Sequence, residues 1–149
     1  MNIAIKDILW HDLKHMKPKY ILVLIALLCI LTRQTFAIQI PALQGRINDY
    51  ANILSEETQQ ALENQLKKQE DTTTNQIVVL TIASLEGQPI ENFANEVFNA
   101  WKLGKAGKNN GVLMLVVVND HKMRIEVGYG LEQALTDALS SRIIRNELA

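Results

Sequence analysis

Oxygen-bearing side chains near the ends of predicted strands are the residues of this chain best suited to chemistry. Asp49 follows a short predicted strand, Asn109 and Asn110 precede an apolar run, and Glu126 lies in an alternating run. Carboxylate and amide oxygens are the ligands that calcium prefers. If the loops that carry them share one end of a sheet, these four side chains form a site for Ca²⁺ or another divalent cation. For Glu126 the alternative is an ion pair with Arg124 or a nearby lysine.

This sequence has few residues that could support catalysis or metal binding by histidine, cysteine or serine. The only cysteine, Cys29, lies in an apolar N-terminal run, and His121 is the only histidine after residue 37. A zinc site built from His or Cys, or a phosphohistidine pair, is therefore not expected. The sequence has no Gly-x-Ser-x-Gly elbow. The glycine and lysine run at residues 104–111 precedes a strand instead of opening a helix, so nucleotide binding is not expected either.

The strand patterns decide where these side chains can lie. Residues 112–118 are seven apolar residues in succession, which predicts a strand buried on both faces. Residues 122–127 alternate between apolar and charged side chains, which predicts a half-covered strand joined to the first by a turn at residues 119–121. Residues 76–83 predict a second interior strand, and residues 46–49 predict a short strand or a turn.

Helical patterns alternate with these strands. Ser55 is a typical N-cap, followed by two glutamates, and predicts a surface helix that ends in a loop at residues 71–75. Residues 90–101 and 135–148 each show apolar residues at helical spacing. The alternation predicts an α/β fold, a three-layer α/β/α sandwich around a small mixed sheet that is mostly parallel and has an antiparallel edge hairpin.

The first 37 residues have the pattern of a leader with a signal peptide. Residues 20–31 are apolar, a run shorter than the about 20 residues of a membrane span, and two lysines precede them. A small-x-small sequence ends at Ala37, so we expect cleavage there; Met16 is a second candidate start. The chain is then exported, periplasmic or secreted. The alternative is an uncleaved leader that anchors the domain and gives it its only membrane contact.

Residues 38–149 are long enough for one hydrophobic core. They contain ten Lys and Arg residues and fourteen Asp and Glu residues, a net charge of −4. There is no basic run and no interleaving of arginine with aromatic residues, so nucleic acid is not an expected partner.

Four motifs resemble those of the TPM domain family. They are an Asp-Tyr-Ala at residues 49–51, a helix capped by Ser55, an Asn-Gly-Val-Leu at residues 110–113, and an Arg-Ile-Glu-Val-Gly-Tyr-Gly-Leu at residues 124–131. The likeness extends from about Ile47 to the end of the chain. TPM domains usually continue beyond the last helix, so the resemblance implies a domain shortened at its C-terminus.

The resemblance also carries functional expectations. Some TPM domains bind Ca²⁺ or related divalent ions, a weak acid phosphatase activity is attributed to plant thylakoid members, and others act in photosystem repair or modulate membrane protein complexes without catalysis. The family commonly has Asp-Asn-Gly before the central strand, where this chain has Asn109 and Asn110, so a metal here would be held weakly. The resemblance implies a binding or accessory module for an envelope or membrane protein complex; the alternative is a metal-assisted phosphomonoesterase of low activity, with a water activated near Asp49.

Overall fold

Strands and helices follow one another in the order that the sequence patterns predict. The computed structural model describes residues 38–148 together with Lys17 and Lys19, so the predicted signal core and cleavage site lie outside the described residues. The described residues from Ile38 onward belong to one compact unit. Its elements are β1 Ile47–Asp49, α1 Glu56–Thr73, β2 Gln76–Ile82, α2 Ile90–Ala100, β3 Gly111–Val117, β4 Lys122–Val127 and α3 Asp137–Ile143, with a 3₁₀ turn at Tyr129–Leu131 and a π turn at Ile144–Leu148.

The four strands form one mixed sheet in the order β1-β2-β3-β4. β1 is parallel to β2, and β2 is parallel to β3. β4 returns antiparallel to β3 after the predicted turn. The prediction of a mostly parallel sheet with an antiparallel edge hairpin is therefore confirmed.

One face of the sheet packs against α2 and holds the hydrophobic core. In the register of the sheet, every second residue of β2 and β3 lies on this face, and α2 supplies its apolar stripe. Phe93 is fully buried at the centre of this core. Burying a side chain of this kind stabilises the fold by about 1.5–3 kcal/mol, so Phe93 is one of the larger single contributors. The strand and α2 members of this core are Val78, Leu80, Ile82, Leu113, Leu115, Val117, Ile90, Phe93, Ala94 and Val97.

Helix α1 lies on the opposite face of the sheet. It contacts β1 and β2, yet none of its side chains belongs to the core under α2. The three-layer prediction is thus confirmed. Ser55 caps the helix, its hydroxyl accepting from the backbone N–H of Thr58 at 3.2 Å.

The predicted loop at residues 71–75 is wrong in its first three positions. The hydroxyls of Thr72 and Thr73 donate to the carbonyls of Lys68 and Gln69 at 2.8 Å, so these polar side chains are satisfied within α1. The helix ends at Thr73, and the capping residue Thr74 that follows it has a φ of 66°.

An N-terminal arm, residues 38–45, covers part of the α2 face of the sheet. Ile38 and Ile40 pack against the core, and the Trp101 indole donates to the carbonyl of Pro41 at 2.9 Å. The Tyr50 hydroxyl holds the arm farther along, at the carbonyl of Ala42. Among the helices of the described residues, none has the length and apolar character that crossing a bilayer requires.

Candidate functional site

The carboxylate of Asp49 organises the loop between β1 and α1. Its oxygens accept hydrogen bonds from the backbone N–H groups of Ile53 at 3.2 Å and Leu54 at 2.9 Å. They also accept from the Thr81 hydroxyl on β2 and from the Gln59 side-chain amide. Both oxygens are therefore engaged by donors of the protein, and the carboxylate joins β1, β2 and α1.

The pKa of Asp49 lies below the usual range of an aspartate. Burial raises this pKa, but the hydrogen bond from Thr81 and those from the backbone N–H groups of Leu54, Ile53 and Asn52 outweigh it. An aspartate titrates near pH 4 when nothing perturbs it, so Asp49 carries a negative charge at neutral pH.

Asn110 is a buried structural residue at the start of β3. Only 5% of the residue is exposed, and its side-chain N–H₂ donates to the Thr74 carbonyl at 2.6 Å. Its side-chain oxygen accepts from the backbone N–H of Lys105 at 3.0 Å. Asn110 thus ties the loop before β3 to the end of α1, and both polar groups of its amide are used.

Asn109 lies beside the Gly-Tyr-Gly corner that follows β4. Its backbone φ is 48°, and its carbonyl accepts from the N–H of Gly130 at 3.1 Å. A Cβ at Gly128 would collide with this carbonyl, and one at Gly130 would collide with the carbonyl of Lys108. Glycine is required here because two loops approach each other backbone to backbone.

Glu126 is paired with Arg124 across the α2 face of β4. The Arg124 Nε donates to the Glu126 carboxylate at 2.8 Å, and their side chains are 30% and 17% exposed. The structure therefore shows the ion pair with Arg124, which was the alternative to metal binding for Glu126.

Asp49 and Asn110 lie at opposite ends of the sheet. Asp49 pairs in register with Thr81, and Thr81 with Val116. Asn110 stands six positions before Val116 on the same chain segment, which at about 3.3 Å per residue is about 20 Å away. Because β1 and β3 point the same way, the loop that leaves β1 and the loop that enters β3 cannot share one end of the sheet.

Asp49 and Glu126 lie on opposite faces as well. Glu126 pairs with Leu113, which is an odd number of residues from Val116, so the side chain of Glu126 projects from the α2 face and that of Asp49 from the α1 face. The four predicted ligands therefore do not fit one calcium site.

Another metal centre would need a different cluster of metal-binding side chains among the described residues. Among them, no group of three or more His, Cys, Asp or Glu side chains is placed to hold a metal ion. The expectation that the two loops meet is wrong; calcium binding itself stays a prediction, and Asp49 is the acid at which to test it.

An apolar cleft opens at the carboxyl end of β3, where the sequence patterns predicted no site. Its volume is about 480 Å³, and its lining is mostly apolar. Ile53, from the loop that Asp49 holds, forms one wall and is 50% exposed; Tyr50 in the same loop is 38% exposed. Ligands of open α/β sheets bind outside the carboxyl ends of the strands. The lining residues are Ile53, Val116, Val117, Val118, His121, Lys122, Met123 and Ile144.

Comparisons with known proteins agree with this fold. The family model of the TPM domain matches residues 47–149. The solution NMR structure of the N-terminal domain of a P. gingivalis protein is 32% identical, with a TM-score of 0.63, over 67% of this chain and 64% of that one. The N-terminal domain of the cg2496 protein from Corynebacterium glutamicum is 16% identical, with a TM-score of 0.57, over 74% of this chain and 73% of that one, a likeness of fold alone. This chain thus spans less than two thirds of the P. gingivalis chain, and no curated protein matches it.

Proposed function

Since the chain belongs to the TPM domain family, we propose that it is an exported binding or accessory module of the cell envelope. Its partner is an envelope or membrane protein complex. The leader pattern of residues 1–37 supports the location, and the apolar cleft at the carboxyl end of the sheet supports the binding role.

The observation that carries the proposal is the exposed apolar surface around this cleft. Exposed apolar patches on a folded chain mark interaction sites. Ile53 extends from a loop whose backbone is fixed by the Asp49 carboxylate, so this part of the surface is preformed and costs little ordering on binding. Lys122 and His121 lie at the cleft, which suits a partner segment with apolar side chains next to an acidic one.

Site-specific crosslinking in cells tests the proposal. A photoreactive amino acid replaces Ile53 in the full chain, and exposed Lys68 on α1 is the matched control position. We expect an adduct with an envelope protein at position 53 and none of that size at position 68. Fractionation of the same cells reports whether the chain is exported. Equal adducts at both positions, or none at position 53, would contradict the proposed binding role.

The rival function is a metal-assisted phosphomonoesterase of low activity with Asp49 at its centre. Its support is an ionised carboxylate at the carboxyl end of the sheet. Hydrolysis of a generic phosphate ester with Ca²⁺ or Mg²⁺ distinguishes the two functions, with Asp49→Ala as the control. Activity that this variant loses while keeping its fold would favour the enzyme, whereas background rates in both proteins would leave the binding module.

Calcium binding is tested separately from catalysis. In an amide-resolved NMR titration of residues 38–149, a weak calcium site gives saturable shifts confined to the surroundings of Asp49. Absence of localised shifts at millimolar Ca²⁺ would remove calcium from the proposal and leave the binding role standing.

A further inference from the structure

Among the strands of residues 38–148, β4 has one edge without a partner strand. The N–H of Gly128 donates to the carbonyl of Gly111 at 2.8 Å, which fixes the alternation of hydrogen bonds between β3 and β4. By that alternation, the N–H and C=O groups of Met123, Ile125 and Val127 point away from β3. No hydrogen bond from another described residue reaches these outward groups. Three donors and three acceptors are therefore available along this edge.

Clefts separate this edge from α3 and from the segment that precedes it. Two clefts of about 410 and 290 Å³ follow β4 on the side away from β3. The larger is lined by Arg124, Ile125, Glu126 and Val127, four consecutive residues whose side chains alternate between the two faces. The opposite walls come from residues 132–144. A cleft that touches both faces of a strand lies along its edge, so the outward N–H and C=O groups of β4 face these clefts.

We propose that two copies of this chain pair antiparallel through β4, around a twofold axis at Ile125. In this register Ile125 lies opposite its own copy, and Met123 lies opposite Val127 of the other copy. Each of these three residues donates one and accepts one backbone hydrogen bond, which gives six bonds across the axis. The two sheets become one continuous sheet. This inference does not depend on the apolar cleft or on the function proposed above.

The charges of β4 are what favour a second copy over a foreign segment. Arg124 and Glu126 project from the same face and flank Ile125 symmetrically. In the paired register the Arg124 of each copy lies directly opposite the Glu126 of the other, so the existing ion pairs extend into a network of four charges. On the other face, apolar Met123, Ile125 and Val127 meet apolar residues. The strand is thus complementary to itself in both charge and polarity.

Disulfide crosslinking of the full chain tests this register. The only native cysteine is removed by Cys29→Ser, and Ile125→Cys introduces a new one. Cα atoms of a hydrogen-bonded antiparallel pair lie about 5.5 Å apart, within the range of a disulfide. Lys68→Cys, on the exposed side of α1, is the matched control for random collision and for association through the leader. We expect the cysteine at 125 to crosslink about tenfold faster than the one at 68.

Charge reversal gives the decisive comparison. Arg124→Glu or Glu126→Arg, each combined with Ile125→Cys, places like charges opposite each other in a symmetric pair, and crosslinking should fall about tenfold. A mixture of these two variants places unlike charges opposite each other, so the mixed dimer should form at the rate of the Ile125→Cys protein without charge reversal. That result would also show that both variants fold. Crosslinking at 125 no faster than at 68, or a mixed dimer no better than either variant alone, would overturn the proposal. A foreign segment on this edge would give that result.

Discussion

Replacing Asp49 by Asn isolates what this carboxylate contributes to the fold. In the native chain two carboxylate oxygens accept from the backbone N–H groups of Ile53 and Leu54 at 3.2 and 2.9 Å. Asparagine has one acceptor oxygen, so one of these N–H groups would face an amide N–H₂. Hydrogen bonds to a charged group contribute about 1.5–3 kcal/mol, and Asp49 is partly exposed, so we expect the free energy of unfolding to fall by about 2 kcal/mol at neutral pH.

The loss should depend on pH because the pKa of Asp49 is lowered by folding. The contribution of a depressed carboxylate is fully present above its unfolded pKa near 4, and it is lost as the pH falls through the lower folded value. Once the native side chain is protonated, it too accepts fewer hydrogen bonds. The difference between the native chain and Asp49→Asn should therefore shrink below about pH 4.

Urea unfolding of residues 38–149, followed at neutral pH and then in steps below about pH 5, measures both effects. Asp71→Asn is the control, because the pKa of Asp71 is also lowered, in this case chiefly by its hydrogen bond to Lys67 on the surface of α1. That exposed pair is screened by solvent, so the control should change stability little. The reasoning fails if Asp49→Asn unfolds like the native chain at neutral pH, or if its deficit stays constant into the acid range.

Three further substitutions test other parts of the structure. Asn110→Ala leaves the Thr74 carbonyl and a backbone N–H without their partner in a buried loop, and should cost about 2–4 kcal/mol in urea unfolding; a smaller loss would mean that water replaces the amide. Gly130→Ala places a methyl group against the Lys108 carbonyl and should cost at least about 1–3 kcal/mol, seen as a lower melting temperature. Trp101→Phe removes the hydrogen bond to the N-terminal arm, and the arm should exchange its amide hydrogens faster while α2 does not; equal exchange in both proteins would contradict that anchoring role.

The element order was predictable because each element has a local pattern. The alternation of residues 122–127 matches β4 residue for residue, and the apolar run before it matches β3 to within one residue. Ser55 marks the start of α1 for a local reason, since an N-cap needs only its own hydroxyl and the next turn. The end of α1 was not predictable by the same rules, because threonine hydroxyls bonded within the helix instead of terminating it.

The site was less predictable than the fold because it depends on the direction of strands. Nothing near Asp49 or Asn110 in the sequence says that β1 and β3 run parallel, yet that relation alone places them at opposite ends of the sheet. The apolar cleft also depends on how the chain is arranged in space, because its walls come from separate segments. These are Ile53, β3, the hairpin turn and the segment after α3. The ion pair of Glu126 with Arg124 could be foreseen, because it joins two residues on one face of one strand.

The contact of Gly128 and Gly130 with the loop before β3 bears on how such chains are identified. These glycines stand in the longest of the motifs shared with the TPM domain family, and their role is to let two backbones touch. A search that relies on this corner therefore detects a geometry of loops and not a reaction. The candidate functional side chains of this chain lie at the other end of the sheet, around Asp49 and Ile53.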